Sequence, residues 1–465
     1  MNENLEVIIL AAGLGTRMKS STIKILHHAA GRPIIDYVLD LASDLSPTPP
    51  VMVVGYQREA VQKCIGIRAR FAVQEQQLGT GHAVLQAAQH VDPSKRVMIL
   101  SGDVPLTRIE TLRSLLEEHE RSGNALTLLT MKLTDPAMYG RILRDEHGGV
   151  TRIVEAKDAT EEQLRIDEVN AGIYVFNGEH LFDNLRNLSP ENAQKEYYLT
   201  DLLSVIHNAG HRVGAMIAGD PIEALGVNSR GELARVEREI QHRVVERLLS
   251  DGVTFRNPDT VVIDSTVTIG PDTVVYPFVT LEGTTRIGEG CVIDPGVHLV
   301  NVTVGDDVHI KTGTVAEDAI IEDEASVGPY AHLRGGTKLG RRVKVGNFVE
   351  TKKAVFGEGA KASHLSYIGD ADVGADVNIG AGTITCNYDG VNKNKTVIED
   401  GAFIGSDSQL VAPVRIGRGA YVGAGSTITK DVPADGLALS RTPQKVVEGW
   451  ARRKKEQNKV SRGAE

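Results

Sequence analysis

Residues 404–423 read IGSDSQLVAPVRIGRGAYVG, and this stretch decides the fold of the second half of the chain. In it an aliphatic residue followed by glycine occurs at Ile404, Ile416 and Val422, at multiples of six residues. Similar pairs, with glycine or an acidic residue in second place, recur through residues 251–440. A six-residue unit cannot bury its single aliphatic side chain alone, whereas stacked units fill one continuous interior column. The repeat therefore predicts a parallel β-helix of triangular coils.

Glycine is distributed unevenly and divides the chain. Residues 251–440 contain 27 of the 48 glycines, whereas residues 1–228 contain 18. The segment between them is charged and favours an exposed, solvated linker helix. We therefore expect a first domain over residues 1–228, a linker helix over 229–250, a β-helix domain over 251–450 and a disordered basic tail over 451–465. A nucleic-acid-binding arm is the alternative for the tail.

The first 228 residues alternate short β-branched runs with longer helical patterns. This order predicts an α/β domain with a mostly parallel sheet that helices cover on both faces. The predicted strands are Val7–Leu10, Val51–Val54, Val97–Leu100, Leu126–Met131 and Ile173–Phe176. The predicted helices include Thr80–His90 and Thr107–Arg121. Because ligands of such sheets bind beyond the carboxyl ends of the strands, we expect the functional residues directly after each strand.

A glycine-containing turn, with Gly13 and Gly15, follows the first predicted strand. Small residues let the backbone approach a ligand, and the N-terminus of a following helix would offer free N–H groups to a phosphate. Arg17 and Lys24 add positive charge to the same region. The turn lacks the third glycine of the dinucleotide-binding motif and is not a Walker loop, so a tight turn without a ligand is the alternative reading.

Polar residues follow the other predicted strands as well. Asp103 comes directly after a strand, where a carboxylate can hold Mg²⁺ beside phosphates or merely cap a turn. The amide of Gln74 can read a base edge, while Gly79 and Thr80 let the backbone reach a base or a sugar. Further polar positions in predicted loops are Tyr139, Gly140, Arg141, Glu155, Asn170 and Asn228.

The start Leu-x-x-Gly-x-Gly-Thr-Arg-Met, from Leu10 to Met18, resembles that of the sugar nucleotidyltransferases. The segment Gln-Leu-Gly-Thr-Gly-His-Ala is similar to that of the uridyltransferases of the amino-sugar pathway. The resemblance implies a catalytic role for Arg17 and magnesium ligation by Asp103 and Asn228. It implies that UTP or its product is bound by Leu10, Ala11, Ala12, Gly13, Lys24, Gln74, Gly79 and Thr80. It implies that N-acetylglucosamine phosphate is held by Gly140, Glu155 and Asn170, with Asn228 as a further substrate contact.

Two residues depart from the pattern of that family. Leu14 stands where the family commonly has lysine, and Ile23 stands where it usually has proline. Arg17 and Lys24 remain to carry positive charge, so we expect both departures to adjust the affinity for nucleotide.

The β-helix repeat is interrupted by a polar stretch over residues 385–395. Long polar loops in compact domains usually bind or react. Lysine and arginine can hold a sugar phosphate, and histidine can take a proton from an attacking amine, although a lone histidine is more often structural. Residues of these types near the interruption are Arg334, Lys352, His364, Tyr367 and Asn378.

The repeats resemble those of the hexapeptide acyltransferases, which implies left-handed coils and a homotrimer. The segments Asn347–Glu350, Asn378–Thr383 and Cys386–Gly390 make the whole chain similar to the bacterial bifunctional enzymes that make UDP-N-acetylglucosamine for peptidoglycan and lipopolysaccharide precursors. Those enzymes acetylate glucosamine-1-phosphate with acetyl-CoA and then transfer UMP from UTP to the product.

The same resemblance implies roles for individual residues of the second half. It implies that His364 is the general base and that Lys393 approaches a phosphate of a neighbouring subunit. It implies contacts to glucosamine phosphate from Arg334, Lys352, Tyr367 and Asn378. It implies an acetyl-CoA site along Ala381, Asn387, Tyr388, Ser406, Ala424 and Arg441.

Composition narrows the remaining function classes. The net charge of -10 argues against a nucleic-acid-binding protein. The chain has neither a run of about 18 apolar residues nor a secretory signal, so no membrane association is expected. Three distant cysteines fit a reduced cytoplasm better than a disulfide framework or a zinc site. Two alternatives stay open: a monofunctional nucleotidyltransferase with a structural or regulatory β-helix, and a non-catalytic assembly subunit.

Overall fold

The structure, a computed structural model, describes residues 2–13 and 15–462. It contains two compact units, residues 1–246 and 247–465. The division falls inside the helix Arg230–Ser250, which the sequence predicts as a linker. Within the described ranges, no helix is long and apolar enough to cross a membrane.

The first unit is built around a nine-stranded sheet. Its strands are β1 (Leu5–Ala11), β2 (Val51–Val54), β3 (Arg70–Val73), β4 (Arg96–Ser101), β5 (Leu126–Lys132), β6 (Arg141–Arg144), β7 (Val150–Val154), β8 (Glu168–Asn177) and β9 (Val213–Ile217). The main path runs β9-β5-β8-β4-β1-β2-β3, and β6 and β7 form a hairpin beside β8. Only β8 on this path is antiparallel to its neighbours, so the predicted mostly parallel sheet is confirmed.

Helices cover both faces of this sheet. They are α1 (Ile34–Leu45), α2 (Arg58–Ile65), α3 (Thr80–Ala87), α4 (Ile109–Ser122), α5 (Gly178–Leu185), α6 (Asp201–Asn208) and α7 (Arg230–Ser250). Alternate side chains of β1 enter two separate cores, because successive residues of a strand point to opposite faces. Val7 and Ile9 pack in the core that includes α1 and α4, whereas Ile8 packs in the core that includes α3, α5 and α6.

The turn after β1 differs from the prediction. The sequence predicts a helix that begins there, but the structure has only a three-residue 3₁₀ helix, Thr16–Met18. Gly15 and Lys19 flank it with left-handed backbone angles (φ 63° and 47°), which end the helical turn on both sides. A phosphate at this turn would therefore contact individual backbone N–H groups and not the dipole of a long helix.

Helix α7 is also different from the exposed, solvated linker that the sequence predicts. Val236, Ile240 and Val244 are buried, and the guanidinium of Arg243 donates to the carbonyl oxygen of Leu106. Apolar residues at three- and four-residue spacing form one face of a helix, and here that face packs within the first unit. The segment is helical, as the sequence predicts, but one face of the helix is buried and not solvated.

The second unit is a parallel β-helix, as the repeat predicts. Its short strands form three sheets of 11, 10 and 9 strands, and the chain visits the three in rotation. The first face consists of Thr254–Phe255, Val274–Val275, Val292–Ile293, His309–Ile310, Ser326–Val327, Lys344–Asn347, Lys361–His364, Asn378–Ile379, Phe403–Ile404, Tyr421–Val422 and Leu437–Ala438. The second face consists of Val262–Ile263, Thr280–Glu282, His298–Val300, Val315–Glu317, His332–Arg334, Glu350–Lys352, Tyr367–Gly369, Ile384–Cys386, Gln409–Val411 and Thr427–Ile428. The third face consists of Thr268–Ile269, Arg286–Ile287, Thr303–Val304, Ile320–Ile321, Lys338–Leu339, Val355–Phe356, Ala371–Val373, Thr396–Ile398 and Val414–Ile416.

The aliphatic residue of each hexapeptide points into the coil and stacks on its counterpart in the next coil. Ile269 pairs with Ile287 and Ile287 with Val304, and all three side chains are buried. The glycine that follows lets adjacent coils approach at a corner. A Cβ at Gly270 would lie 2.7 Å from the carbonyl carbon of Gly288, so no larger residue fits there.

The polar interruption is a loop between the second and third faces. Tyr388 pairs with Lys393 in an antiparallel bridge, and the backbone N–H of Asn394 donates to the carbonyl oxygen of Asn387 over 2.7 Å. The loop is therefore a small folded hairpin.

The basic tail is helical where the sequence predicts disorder. Residues Trp450–Arg462 form helix α8, whose described side chains are exposed. Alanine, arginine, lysine and glutamine have high helix propensity, which explains a helix without a buried face.

Candidate active sites

A cavity of about 410 Å³ opens at the carboxyl end of β1 in the first unit. The nine predicted residues that line it are Leu10, Ala11, Ala12, Gly13, Lys24, Gln74, Gly79, Thr80 and Asp103. These residues come from four separate chain segments, which meet here because parallel strands end at the same edge of the sheet. The structure thus brings the predicted nucleotide-binding residues to one place.

A second cavity of about 210 Å³ adjoins the first. It is lined by Gly140, Glu155, Asn170 and Asn228, the residues predicted to hold the sugar phosphate. Asp103 lines both cavities, as does Ser101. A ligand in one cavity therefore lies next to a ligand in the other at the Asp103 carboxylate.

Lys24, Asp103 and Asn228 form a polar triad where the cavities adjoin. The ammonium of Lys24 forms a salt bridge with Asp103 and donates to Oδ1 of Asn228 over 3.0 Å. One cation thus binds both a carboxylate and an amide oxygen. Carboxylate and amide oxygens are ligands that divalent cations accept, so the pair Asp103 and Asn228 fits Mg²⁺ when substrate phosphates complete the coordination. In the part of the chain that the structure describes, no group of three or more His, Cys, Asp or Glu side chains could hold a metal ion, so this site offers one carboxylate and one amide.

Gln74 serves a structural purpose at this site. Its amide nitrogen lies 3.0 Å from the carbonyl oxygen of Gly79 and 3.0 Å from Nδ1 of His82, and the residue is buried. Gly79 has φ 109°, and a Cβ there would lie 2.6 Å from the carbonyl oxygen of Tyr197. Gln74 therefore holds in place a segment that only glycine can form.

Glu155 is a titratable group of the smaller cavity whose pKa is shifted by its surroundings. Burial raises the pKa of its carboxyl group, while a hydrogen bond from the hydroxyl of Thr200 (3.0 Å) opposes the rise. Asn170 is fixed more tightly, because its amide donates to the hydroxyl of Tyr174 and its Oδ1 accepts from the N–H of Gly172. Both side chains are held in place before a ligand enters.

Three sequence predictions at the turn after β1 have different outcomes. Arg17 is exposed and is not among the described residues that line either cavity. Leu14 lies outside the described residues. Ile23 replaces the usual proline, and its backbone N–H donates to Oε1 of Gln57 over 3.1 Å, a bond that proline could not make. This departure therefore adds an anchor beside Lys24.

Sequence reasoning missed several residues of the larger cavity, among them Gln77, Ser101 and Glu196. Gln77 stands in the same glycine-containing segment as Gly79, so its position was a usable signal. Glu196 is on a distant loop whose backbone packs against Gly79, and no local pattern indicates that contact.

In the second unit, His364 ends a strand of the first face. Its Nδ1 lies 2.8 Å from Oδ1 of Asn347, the residue beside it in the previous coil. If Asn347 accepts this hydrogen bond, the proton is on Nδ1 and Nε2 carries a free lone pair. The geometry fits a general base.

Four of the six residues predicted for acetyl-CoA continue along the same corner, whereas Asn387 and Tyr388 lie on the hairpin. The N–H of Gly382 donates to the carbonyl oxygen of Leu365, and the N–H of Asp407 donates to Ala381. The N–H of Gly425 donates to Ser406, and the guanidinium of Arg441 donates to the carbonyl oxygen of Ala424. The column formed by His364, Ala381, Ser406, Ala424 and Arg441 therefore spans successive coils at one corner.

A group of cations lies on the second face. Arg334 pairs with Lys352 in register, and its guanidinium forms a 2.8 Å ion pair with Glu350. The ammonium of Lys352 lowers the pKa of Lys393, while the charge of Asp370 opposes this shift. Two lysines so close together form a site for an anion such as a phosphate. Tyr367 is close enough to Lys393 to act on the same pKa.

Lys393, which is predicted to approach a phosphate of a neighbouring subunit, lies beside Lys352 of its own chain. The hairpin formed by residues 387–395 folds back over its own coil. Asn387 donates to the carboxylate of Asp370, and Lys395 forms a 2.6 Å ion pair with Asp372. Tyr388 on this hairpin is exposed.

Asn378 is the predicted contact that this chain does not bring to His364. It pairs with Lys361, at the opposite end of the strand that His364 ends. Three residues of strand separate the two positions by about 10 Å.

Comparison with known proteins identifies both halves. The MobA-like NTP transferase domain family matches residues 7–166, the GMPPB C-terminal domain family matches residues 258–356, and the bacterial transferase hexapeptide family (six repeats) matches residues 395–430. A putative glucose-1-phosphate thymidylyltransferase from Bacillus anthracis, solved with a sucrose, is 19% identical, with a TM-score of 0.42 over 50% of this chain and 94% of that chain. That similarity is too low to add to the assignment.

Relatives that match nearly the whole chain have one name. "Bifunctional protein GlmU" of Pelobacter propionicus is 50% identical over 97% of this chain and 99% of its own. A protein of that name from Heliobacterium modesticaldum is 50% identical over 96% of this chain and 98% of its own. Another, from Syntrophotalea carbinolica, is 51% identical over 97% of this chain and 97% of its own. A monofunctional enzyme or a non-catalytic subunit does not fit matches that span both halves. The chain therefore belongs to the GlmU family, bifunctional enzymes with acetyltransferase and uridyltransferase activities in the synthesis of UDP-N-acetylglucosamine.

Proposed function

We propose that UTP binds in the 410 Å³ cavity, that N-acetylglucosamine-1-phosphate binds in the 210 Å³ cavity, and that Asp103 and Asn228 hold Mg²⁺ between them. The observation that carries this assignment is that both cavities are lined by Asp103. Two substrates must adjoin for one to attack the other. The cavities adjoin at an acidic residue with a cationic partner, which suits transfer between phosphates.

In this reaction a phosphate oxygen of the sugar phosphate attacks the α-phosphorus of UTP, and pyrophosphate leaves. A bound Mg²⁺ would neutralise phosphate charge. The protein contributes alignment, because Gly79 and Asn170 are held rigidly on either side of the triad. Lys24 and Arg17 supply positive charge to the phosphates. Arg17 is exposed at the turn after β1, so its guanidinium is accessible to the phosphates of a bound nucleotide.

The cavity assignment can be tested by substitutions that affect one substrate at a time. Gln77→Ala is expected to raise the KM for UTP about tenfold, because it removes a hydrogen-bonding side chain from the larger cavity. Glu155→Gln keeps the shape of the smaller cavity, and we expect it to raise the KM for the sugar phosphate by a similar factor. Steady-state kinetics with each substrate varied in turn would measure both. A change in the opposite KM in either variant would contradict the assignment.

In the second unit we propose that His364 is the general base of acetyl transfer. The Nε2 atom accepts a proton from the amine of glucosamine-1-phosphate, and the amine attacks the thioester carbon of acetyl-CoA. Arg334, Lys352, Tyr367 and Lys393 bind the sugar phosphate. A backbone N–H or the amide of Asn387 stabilises the tetrahedral oxyanion. The intermediate collapses with cleavage of the C–S bond, and the proton taken up by His364 passes to the sulfur of the departing coenzyme A, which is bound along the corner column from Ala381 to Arg441.

We also propose that the chain acts as a homotrimer with its acetyl-transfer site between subunits. Two features support a shared site: the separation of Asn378 from His364, and an exposed apolar stripe at the His364 corner. The rings of Tyr330 and Phe348 stack at 5.8 Å, and Leu365 continues the stripe in the next coil. Exposed apolar patches on repeat faces mark interaction surfaces. The number three rests on the hexapeptide family.

Leu365→Asp should separate the chains, because it places a charge in the stripe. We expect acetyl transfer to fall at least about tenfold at low protein concentration and to recover as the concentration rises. Uridyl transfer should stay within about twofold, since its residues lie in the first unit. Sedimentation together with both assays would measure this, and Ile67→Asp, at a 97% exposed position of the first unit, is the control. A trimeric Leu365→Asp variant with equally low activity would argue against the shared site.

We place the enzyme in the cytoplasm, where UTP and acetyl-CoA are available as co-substrates. The three cysteines, Cys64, Cys291 and Cys386, are free thiols, as a reducing compartment requires. We propose that the product supports cell-wall and lipopolysaccharide precursor synthesis. The small-molecule substrates need neither nucleic acid nor membrane as a partner.

A further inference from the structure

The position of Lys24 has a consequence for the order in which ligands enter the first unit. Its ammonium binds the same two oxygen-bearing side chains, Asp103 and Asn228, that are proposed above as magnesium ligands. The side chains of Lys24 and Asp103 are only 14% and 20% exposed, so little solvent competes for this contact. The cation position between Asp103 and Asn228 is filled by the chain itself.

The segment that carries Lys24 is fixed, so this contact is built into the fold. Gln57 accepts a hydrogen bond from the N–H of Ile23 and donates one to the carbonyl oxygen of Ser21. Gly15 packs against Lys24 so closely that a Cβ there would lie 2.9 Å from the Cβ of Lys24. The backbone near Lys24 is held from two sides, while its four-carbon stem leaves the ammonium able to swing.

We propose that Lys24 is a resident cation that excludes divalent metal from the free enzyme and moves to the nucleotide phosphates when they arrive. This inference rests on the proposed metal site at Asp103 and Asn228. An ammonium and a divalent cation cannot occupy one small site between the same oxygens. The entering metal must therefore displace Lys24, and a triphosphate in the larger cavity gives that ammonium a new partner.

The arrangement of the cavities makes this exchange possible. Lys24 and Asp103 both line the 410 Å³ cavity, whereas Asn228 lines the smaller one. The ammonium can therefore turn from Asp103 towards the larger cavity without movement of the backbone. Phosphate oxygens then complete the coordination shell that a carboxylate and an amide cannot provide alone. Metal and nucleotide consequently bind with positive coupling.

Binding of Mn²⁺ to the full chain, measured by electron paramagnetic resonance, tests the exclusion without any assay of activity. Without nucleotide, we expect Lys24→Met to bind Mn²⁺ on the order of tenfold more tightly than the unaltered chain, because a competing charge is gone. Lys24→Arg keeps the charge and should bind as weakly as the unaltered chain. The exposed Lys19 provides the control variant Lys19→Met, which should change nothing. Adding Asp103→Asn to Lys24→Met should abolish the gain, which locates the ion.

Failure of the exclusion by Lys24 can be distinguished from failure of the proposed metal site. Equal Mn²⁺ affinity of the unaltered chain and Lys24→Met, both folded by circular dichroism, would overturn the exclusion and leave the metal site standing. A second series with UTP present tests the metal site itself. If UTP-dependent Mn²⁺ binding is the same in Asp103→Asn as in the unaltered chain, then the proposed metal site is wrong and the exclusion by Lys24 falls with it.

Discussion

Asp103→Ala is expected to reduce uridyl transfer by about a thousandfold or more while acetyl transfer continues at nearly its normal rate. The substitution removes the carboxylate that lines both cavities of the first unit, and with it a proposed ligand of Mg²⁺. Loss of electrostatic stabilisation at developing charge costs about 10²–10³ in rate for a single group, and loss of a metal ligand adds to this. The residues proposed for acetyl transfer all lie in the other unit.

Separate assays of pyrophosphate release and of coenzyme A release would measure the two activities in one preparation. Asp44→Ala, an exposed aspartate on α1, is the matched control and should leave both unchanged. Asp103→Asn keeps the shape of the side chain and should be nearly as deficient as the alanine variant. Equal loss of both activities in a folded Asp103→Ala protein would contradict separate sites.

Asp103 could be predicted from the sequence because its position depends on a local rule. The strand before it is a buried aliphatic run, and the residue after a parallel strand lies at the ligand-binding edge. Asn170 lies within the antiparallel strand β8 and is outside this rule, but Gly79 follows from it. Glu196 does not, because it reaches the cavity through a loop that packs on Gly79. The proposed exchange of Lys24 between metal ligands and phosphate could not be predicted from the sequence, because it depends on distances between side chains that are far apart in the chain.

In the second unit, too, the sequence predicts the regular part of the structure but not the contacts of a loop. The hexapeptide period fixes which side chains point inward, so Ile269 and Ile287, 18 residues apart, could be placed on one interior column from the sequence. The period says nothing of the hairpin at residues 387–395, whose shape depends on hydrogen bonds of its own. Asp389 accepts hydrogen bonds from the N–H groups of Val391 and Asn392, which lower the pKa of its carboxyl group. This turn places the exposed Lys393 beside Lys352.

His364→Ala should reduce acetyl transfer by about 10²–10⁴, the usual contribution of a general base, while uridyl transfer persists. Calorimetry should show acetyl-CoA binding with little change, because the corner column beyond His364 retains Ala381, Ser406 and Ala424. The control is His298→Ala, which removes a histidine of an earlier coil that pairs with Glu282. A variant that binds acetyl-CoA more weakly but keeps its turnover rate would show that His364 binds the cofactor and is not the base.

Asn347 provides a second test of the same base, because it acts only through His364. Asn347→Leu removes the acceptor of the Nδ1 hydrogen bond, and we expect kcat of acetyl transfer to fall about 10- to 100-fold with little change in KM. Asn347→Asp keeps an acceptor and adds negative charge beside the ring, which stabilises the protonated form. A base must be neutral to act, so the acid limb of the pH–rate profile should move to higher pH while the rate at high pH is largely restored. A structural role for Asn347 would lower the rate equally at every pH, and an unmoved acid limb in Asn347→Asp would remove His364 from the role of base.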